Sequence, residues 1–134
     1  MEGFRYRLRV RYSDCDPQGV LFNAHYLTYF DIAITELWRE AMSSYEEMRK
    51  LGVDLVVAEA TVRYRAPIHF DAEVDLLPRI NHLGTTSIIT GISIESEAGL
   101  HAEGEIRHVV VRLGSAEKTP IPDALRQALE PFSG

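Results

Sequence analysis

The chain has 134 residues, 46% hydrophobic and 25% charged, the proportions of a globular protein and not of a disordered, collagen-like or coiled-coil one. Its 14 basic and 20 acidic residues leave a net charge of −6. Such a chain repels polyanions, so nucleic-acid binding is not expected and an anionic ligand needs local cations.

One domain over 1–134 is the expected organisation, since two cores would each be too small to bury enough surface. The single cysteine, Cys15, can form neither an internal disulfide nor a multi-cysteine zinc site. The first residues show no basic-then-apolar leader, and no apolar run nears the ~18 residues of a membrane span, so a cytoplasmic protein without membrane insertion is expected.

From Phe4 to Tyr12, aromatic and aliphatic residues alternate with Arg5, Arg7, Arg9 and Arg11, which predicts a half-buried strand with an arginine solvent face. Asp16, Pro17, Gln18 and Gly19 then suit a type I turn. Past Asn23 the apolar period becomes helical. Tyr26, Phe30, Ala33, Leu37 and Ala41 share one face with Leu27, Ile34 and Trp38 beside it, predicting a helix of about 20 residues along the centre of the core.

Ser43 and Ser44 before Glu46 and Glu47 predict a second, short helix closed by Gly52. Strands are expected over Val53 to Tyr64, Glu73 to His82, Thr85 to Glu97 and Leu100 to Leu113, with hairpin turns at Leu83-Gly84 and Ala98-Gly99. An amphipathic helix between Pro122 and Pro131 ends the chain. The class is therefore α+β: strands joined by short turns pair antiparallel, and the long helix covers their apolar face.

The run Asp14-Cys15-Asp16-Pro17-Gln18-Gly19-Val20, with Asn23 and Tyr26 behind it, resembles the hotdog-fold acyl-CoA thioesterases of the 4-hydroxybenzoyl-CoA thioesterase group. The resemblance continues through Val56 to Ala60, Arg65-Ala66-Pro67, Phe70-Asp71 and Ile121-Pro122. It implies a curved antiparallel sheet wrapped around a long central helix. It also implies homo-oligomers, either dimers joined sheet edge to sheet edge or dimers of dimers, with sites between subunits and acyl-CoA as substrate. Asp16 takes the place of the catalytic carboxylate, and a backbone N–H near Asn23 that of the group polarising the thioester carbonyl. Neither metal nor cofactor is implied.

Elementary chemistry agrees. A thiol with a pKa of about 8.5 leaves as thiolate near neutral pH, so one carboxylate and a few helix-terminal N–H donors suffice. Pro17 biases Asp16 to extended backbone, Gly19 allows the reversal beside it, and the next helix brings the positive end of its dipole.

The side chain of Asn23 suits an N-cap. His25 is a candidate to bond substrate or water, or to cap. Tyr26 is a candidate cleft residue. Glu59 either faces the cleft between subunits or pairs with a strand arginine. Arg63 and Arg65 are the cations assigned to coenzyme A, with Arg79, Arg107, Arg112 and Lys118 as further candidates. Asp14 reads as a turn or surface residue, and Cys15 as a small buried side chain without a histidine partner. Two alternatives stand beside hydrolysis: an enoyl-CoA hydratase or dehydratase pairing His25 with Glu59, and a non-catalytic acyl-thioester-binding protein.

Overall fold

The computed structural model describes residues 3–133. Strands β1 (Tyr6–Arg9), β2 (Val53–Tyr64), β3 (Glu73–Leu83), β4 (Ser87–Ser96) and β5 (Gly99–Arg112) form one antiparallel sheet in the order β1-β3-β4-β5-β2. Helix α1 (His25–Met42) lies across it, followed by the short α2 (Tyr45–Arg49), and α3 (Asp123–Leu129) follows the last strand. The expected antiparallel sheet around a central helix is present.

The helix is held by one continuous apolar face. Tyr26, Tyr29, Phe30, Ala33, Ile34, Leu37 and Trp38 are buried against Leu76, Ile92, Ile94, Ala102 and Val110 of the strands. Leu27, expected beside that face, is 43% exposed, and Tyr29, absent from the expected stripe, is buried. The sheet covers the helix from one side, so the buried arc turns towards Tyr29 and leaves Leu27 at the margin. Gly104 of β5 faces both β2 and the helix: an added Cβ would stand 2.0 Å from the Thr61 carbonyl oxygen and 2.8 Å from the Phe30 ring. No side chain fits there.

Strand β1 is shorter than its alternation predicts. After Arg9 the chain leaves the sheet and makes a 3-10 turn over Tyr12–Asp14, with Tyr12 78% exposed. Arg11 does not join the outer face: its guanidinium folds back on Asp14 at 3.1 Å. The other arginines do lie on the outer face, where Arg5 and Arg7 converge on Asp75 at 2.8 and 2.9 Å. Those donors, the Arg7 bond foremost, hold the Asp75 carboxyl below its usual range.

The turns mostly follow the sequence. Ser44 accepts the Glu47 N–H at 3.2 Å to start α2, and Gly52 takes φ +85° behind it. Strand β4 begins at Ser87 and not at Thr85, and the β4–β5 turn is Glu97-Ala98, with Ser96 paired to Gly99. At the chain end Leu125 and Leu129 of α3 are fully buried, and Arg126 bonds the Gly84 carbonyl at 2.7 Å.

Candidate active site

The site starts as a small hairpin between β1 and α1. Gly19 donates to the Asp16 carbonyl at 2.9 Å and Asp16 donates to the Val20 carbonyl at 2.9 Å, which is the expected turn closed by one further pair. Gly19 sits at φ +78°, a conformation a side chain would strain. The hairpin is laced to the chain after β2, with Leu21 N–H on the Ile68 carbonyl at 2.7 Å and Phe70 N–H on the Gly19 carbonyl at 2.9 Å.

Asp16 is half-buried on this hairpin. Its Oδ1 accepts the Gln18 N–H at 2.8 Å and, more weakly, the Val20 N–H at 3.5 Å. Its Oδ2 has no partner among the described residues. The turn therefore fixes the carboxylate by one oxygen and leaves the other open.

Asp14, read from sequence as a turn or surface residue, is instead buried at 5% exposure. Burial pushes its carboxyl up, but the Arg11 fork and the Tyr29 hydroxyl at 2.9 Å outweigh it and bring the group below the usual range, with His25 adding to the effect. Burial, with the Asp14 bond adding to it, raises the Tyr29 phenol strongly. Asp14 is thus the anchor of the hairpin. The thiol of Cys15 is raised by burial and then by Asp14 and Asp16, which favours its protonated form.

The chain enters α1 without a side-chain cap. Ala24, not Asn23, is the N-cap, and no side chain bonds the first turn, so the N-cap role expected for the Asn23 side chain is corrected. Ala24 itself has helical dihedrals, φ −69° and ψ −22°, and the Asn23 side chain makes no hydrogen bond among the described residues. Its carbonyl is used instead, accepting the Tyr64 hydroxyl at 3.0 Å. His25 donates its N–H to the Phe22 carbonyl at 2.9 Å, and its ring meets that of Phe22 edge to face. The N–H groups of Asn23 and Ala24 have no acceptor among the described residues.

Tyr26 is buried with its ring 4.8 Å from that of Tyr64, edge to face. Burial raises its phenol, with Tyr64 and Asp16 adding and the Ile68 backbone opposing. Tyr26, Tyr64, Arg65, Ala66 and Pro67 line a cleft of about 230 Å³ at this end of the helix. A larger one, about 610 Å³, lies on the outer face of the sheet among Arg5, Arg7, Arg9, Glu73 and Asp75. Tyr64 of the smaller cleft bonds the Asn23 carbonyl at the helix start, whereas the arginines of the larger are engaged with acidic partners.

The remaining candidates separate. Arg65 lines the cleft but is bound to Glu103 at 3.0 Å. Arg63 is exposed, with no ion pair among the described residues. Glu59 pairs with Arg107 at 3.5 Å, the strand-arginine reading of the two, and no hydrogen bond or ion pair joins it to His25.

Three groups escaped the sequence reading. Tyr29 and Tyr64 act through contacts with Asp14 and Asn23, 15 and 41 residues away. His108 is buried beside Asp31, Ile34, Trp38 and Leu55 in a cavity of about 360 Å³ between α1 and the sheet, and burial lowers its pKa. No local pattern marks any of them.

Comparison with known proteins bears on the fold and the family. The acyl-CoA thioester hydrolase YbgC of Escherichia coli O6:H1 is 32% identical over 109 residues, 81% of this chain and 81% of YbgC. The gentisyl-coenzyme A thioesterase BH1999 superposes with a TM-score of 0.84 at 25% identity, covering 94% of this chain and 99% of its own. Slr0204 from Synechocystis, a 1,4-dihydroxy-2-naphthoyl-CoA thioesterase, shares the fold at TM-score 0.85 and 21% identity over 96% of each chain. The sheet wrapped around a helix is the hotdog fold. The family model of the thioesterase-like superfamily matches residues 10–129, and because that match runs from the turn after β1 to the last residue of α3, the chain belongs to this superfamily of thioester hydrolases.

Proposed function

We propose that this chain hydrolyses acyl-CoA thioesters at the cleft between the Asp16 hairpin and the start of α1. The observation that carries the reading is the open Oδ2 of Asp16, on the hairpin that leads into a helix start with two unpartnered N–H groups, Asn23 and Ala24. A carboxylate held by one oxygen is a ready nucleophile or base, and unpartnered amides at a helix start stabilise a developing oxyanion.

Two routes share this geometry. In one, Asp16 Oδ2 bonds to the carbonyl carbon, the C–S bond breaks, coenzyme A leaves as thiolate, and water hydrolyses the mixed anhydride. In the other, Oδ2 takes a proton from water, whose oxygen attacks while the thiolate departs. Hydrolysis in ¹⁸O-water under single-turnover conditions separates them, since only an anhydride route places solvent oxygen in Asp16 when water attacks the aspartyl carbonyl. Arg63, with Arg65 released from Glu103, supplies positive charge for the phosphates. Gly19 shapes the turn and Tyr26 the wall of the cleft. His25, the first residue of α1, is the candidate to bond substrate or water.

A second copy completes the assembly. Strand β2 is a sheet edge of 12 residues carrying Val56 at 45% and Val57 at 61% exposure, and an edge so long and apolar requires cover. Antiparallel pairing of β2 with β2 of another copy supplies it, in a homodimer or a dimer of dimers of cytoplasmic one-domain chains.

A panel of acetyl-, butyryl-, decanoyl-, benzoyl- and 4-hydroxybenzoyl-CoA with a thiol-reactive dye tests the activity. Release of free coenzyme A that Asp16→Asn lowers at least ~100-fold is expected. Saturable binding with no turnover of any member would replace this reading with a binding protein.

A further inference from the structure

At the helix start each unpartnered N–H belongs to a peptide whose carbonyl is already held. The Phe22 carbonyl, joined to the Asn23 N–H, accepts from His25 at 2.9 Å. The Asn23 carbonyl, joined to the Ala24 N–H, accepts the Tyr64 hydroxyl at 3.0 Å and, less directly, the Tyr26 N–H at 3.4 Å.

A peptide unit is planar, and in its trans form the C=O and N–H point in opposite directions. Whatever holds the oxygen therefore aims the hydrogen. A donor on the oxygen also draws electron density from the nitrogen, which strengthens the N–H as a donor in turn. Tyr64 is suited to this task because its ring is braced at 4.8 Å against buried Tyr26, while it remains 54% exposed itself. A single bond from so exposed a hydroxyl contributes little to holding the fold.

We infer that Tyr64 is a positioning residue for thioester hydrolysis: bonded to the Asn23 carbonyl, it aims and polarises the Ala24 N–H towards the oxyanion. The inference rests on the proposed function and deepens it, because it assigns the fixing of one donor to the far end of β2. The alternative use of the same side chain, as a wall that binds substrate directly, has a different kinetic signature.

The test is Tyr64→Phe, which keeps the ring and removes the hydroxyl. With the fastest acyl-CoA of the panel, kcat is expected to fall about 10-fold with KM within twofold, less than the ~10²-fold loss that follows outright removal of an oxyanion donor. Melting temperature should be unchanged within about 2 °C. A spectroscopic reading adds what a structural role would not move: the carbonyl stretch of benzoyl-CoA bound to Asp16→Asn should shift to lower frequency, and the shift should shrink in Asp16→Asn with Tyr64→Phe. A kcat within twofold of the parent, a loss confined to KM, or identical carbonyl frequencies would overturn the inference. If Asp16→Asn itself turns over normally, the proposed function fails and Tyr64 is not at issue. If it is inactive while Tyr64→Phe is normal, only Tyr64 is misassigned.

Discussion

Asp14 and Asp16 are two residues apart, and their replacement by asparagine should have opposite consequences. Asp14 is buried under the Arg11 fork and holds the Tyr29 hydroxyl at 2.9 Å. In Asp14→Asn the Tyr29 bond loses its charge assistance, about 1 kcal/mol. The Arg11 pair loses only about 0.5 kcal/mol, because that guanidinium is 69% exposed and screened. An amide NH₂ now facing either donor adds about 0.5 kcal/mol more. The sum is about 2 kcal/mol, or roughly 6–10 °C in melting temperature for a chain of this size. Asp16→Asn keeps the Oδ1 acceptor for Gln18, so its stability should stay within about 0.5 kcal/mol while its turnover collapses.

Urea unfolding at pH 7 measures the first effect and free coenzyme A the second. Acid supplies the sign. The folded Asp14 carboxyl lies below its ordinary value of 3.8, so its stabilisation is present in full above that pH and disappears as pH falls through the lower folded value. The gap between wild type and Asp14→Asn should therefore close below pH 3.8 and stay constant above it. Equal urea midpoints for the two proteins at pH 7 would refute the anchoring role. An Asp16→Asn protein destabilised as much as Asp14→Asn would show that the open carboxylate also serves the fold.

Other consequences follow from the core and the edge. Gly104→Ala places a methyl against the Thr61 carbonyl, a backbone atom that cannot yield cheaply, and should cost about 3 kcal/mol; a melting temperature within 2 °C of wild type would contradict that close approach. Burial lowers the His108 pKa from 6.5, partly opposed by Asp31, so the unfolded chain takes up the proton first and stability should fall as pH drops below 6.5. Calorimetry at pH 7.5 and 5 should show a smaller loss in His108→Leu than in wild type, and an equal loss would place His108 in contact with water. Sedimentation at micromolar concentration should give a dimer or larger species, and Val57→Lys should weaken it; a monomeric wild type would remove the paired β2 edge.

Much of this molecule is written in local pattern. The period-2 and period-3.6 stretches delimit β2, β3, β5 and α1 to within a few residues, and the Asp16-to-Gly19 turn forms with the bond its residues predict. The α+β class follows, since elements joined by short turns have few ways to bury their apolar faces. Local pattern fails where a side chain reaches across the chain. Arg11 reads as one more outward arginine of a strand, yet it lies past the strand's end and forks onto Asp14. Asn23 has the composition of an N-cap, yet the helix takes Ala24 and leaves Asn23 to offer a carbonyl to Tyr64.

Sequence alone determined the order of the elements, the carboxylate on its turn and the helix that follows it, because torsional preference and hydrophobic period act over a few neighbouring residues. Only the tertiary structure decided that Asp14 is an anchor and Asp16 is open, and that the Asn23 carbonyl is bound from the end of β2. Those properties depend on burial and on hydrogen bonds between residues far apart in the chain, which exist only once the sheet has closed around the helix.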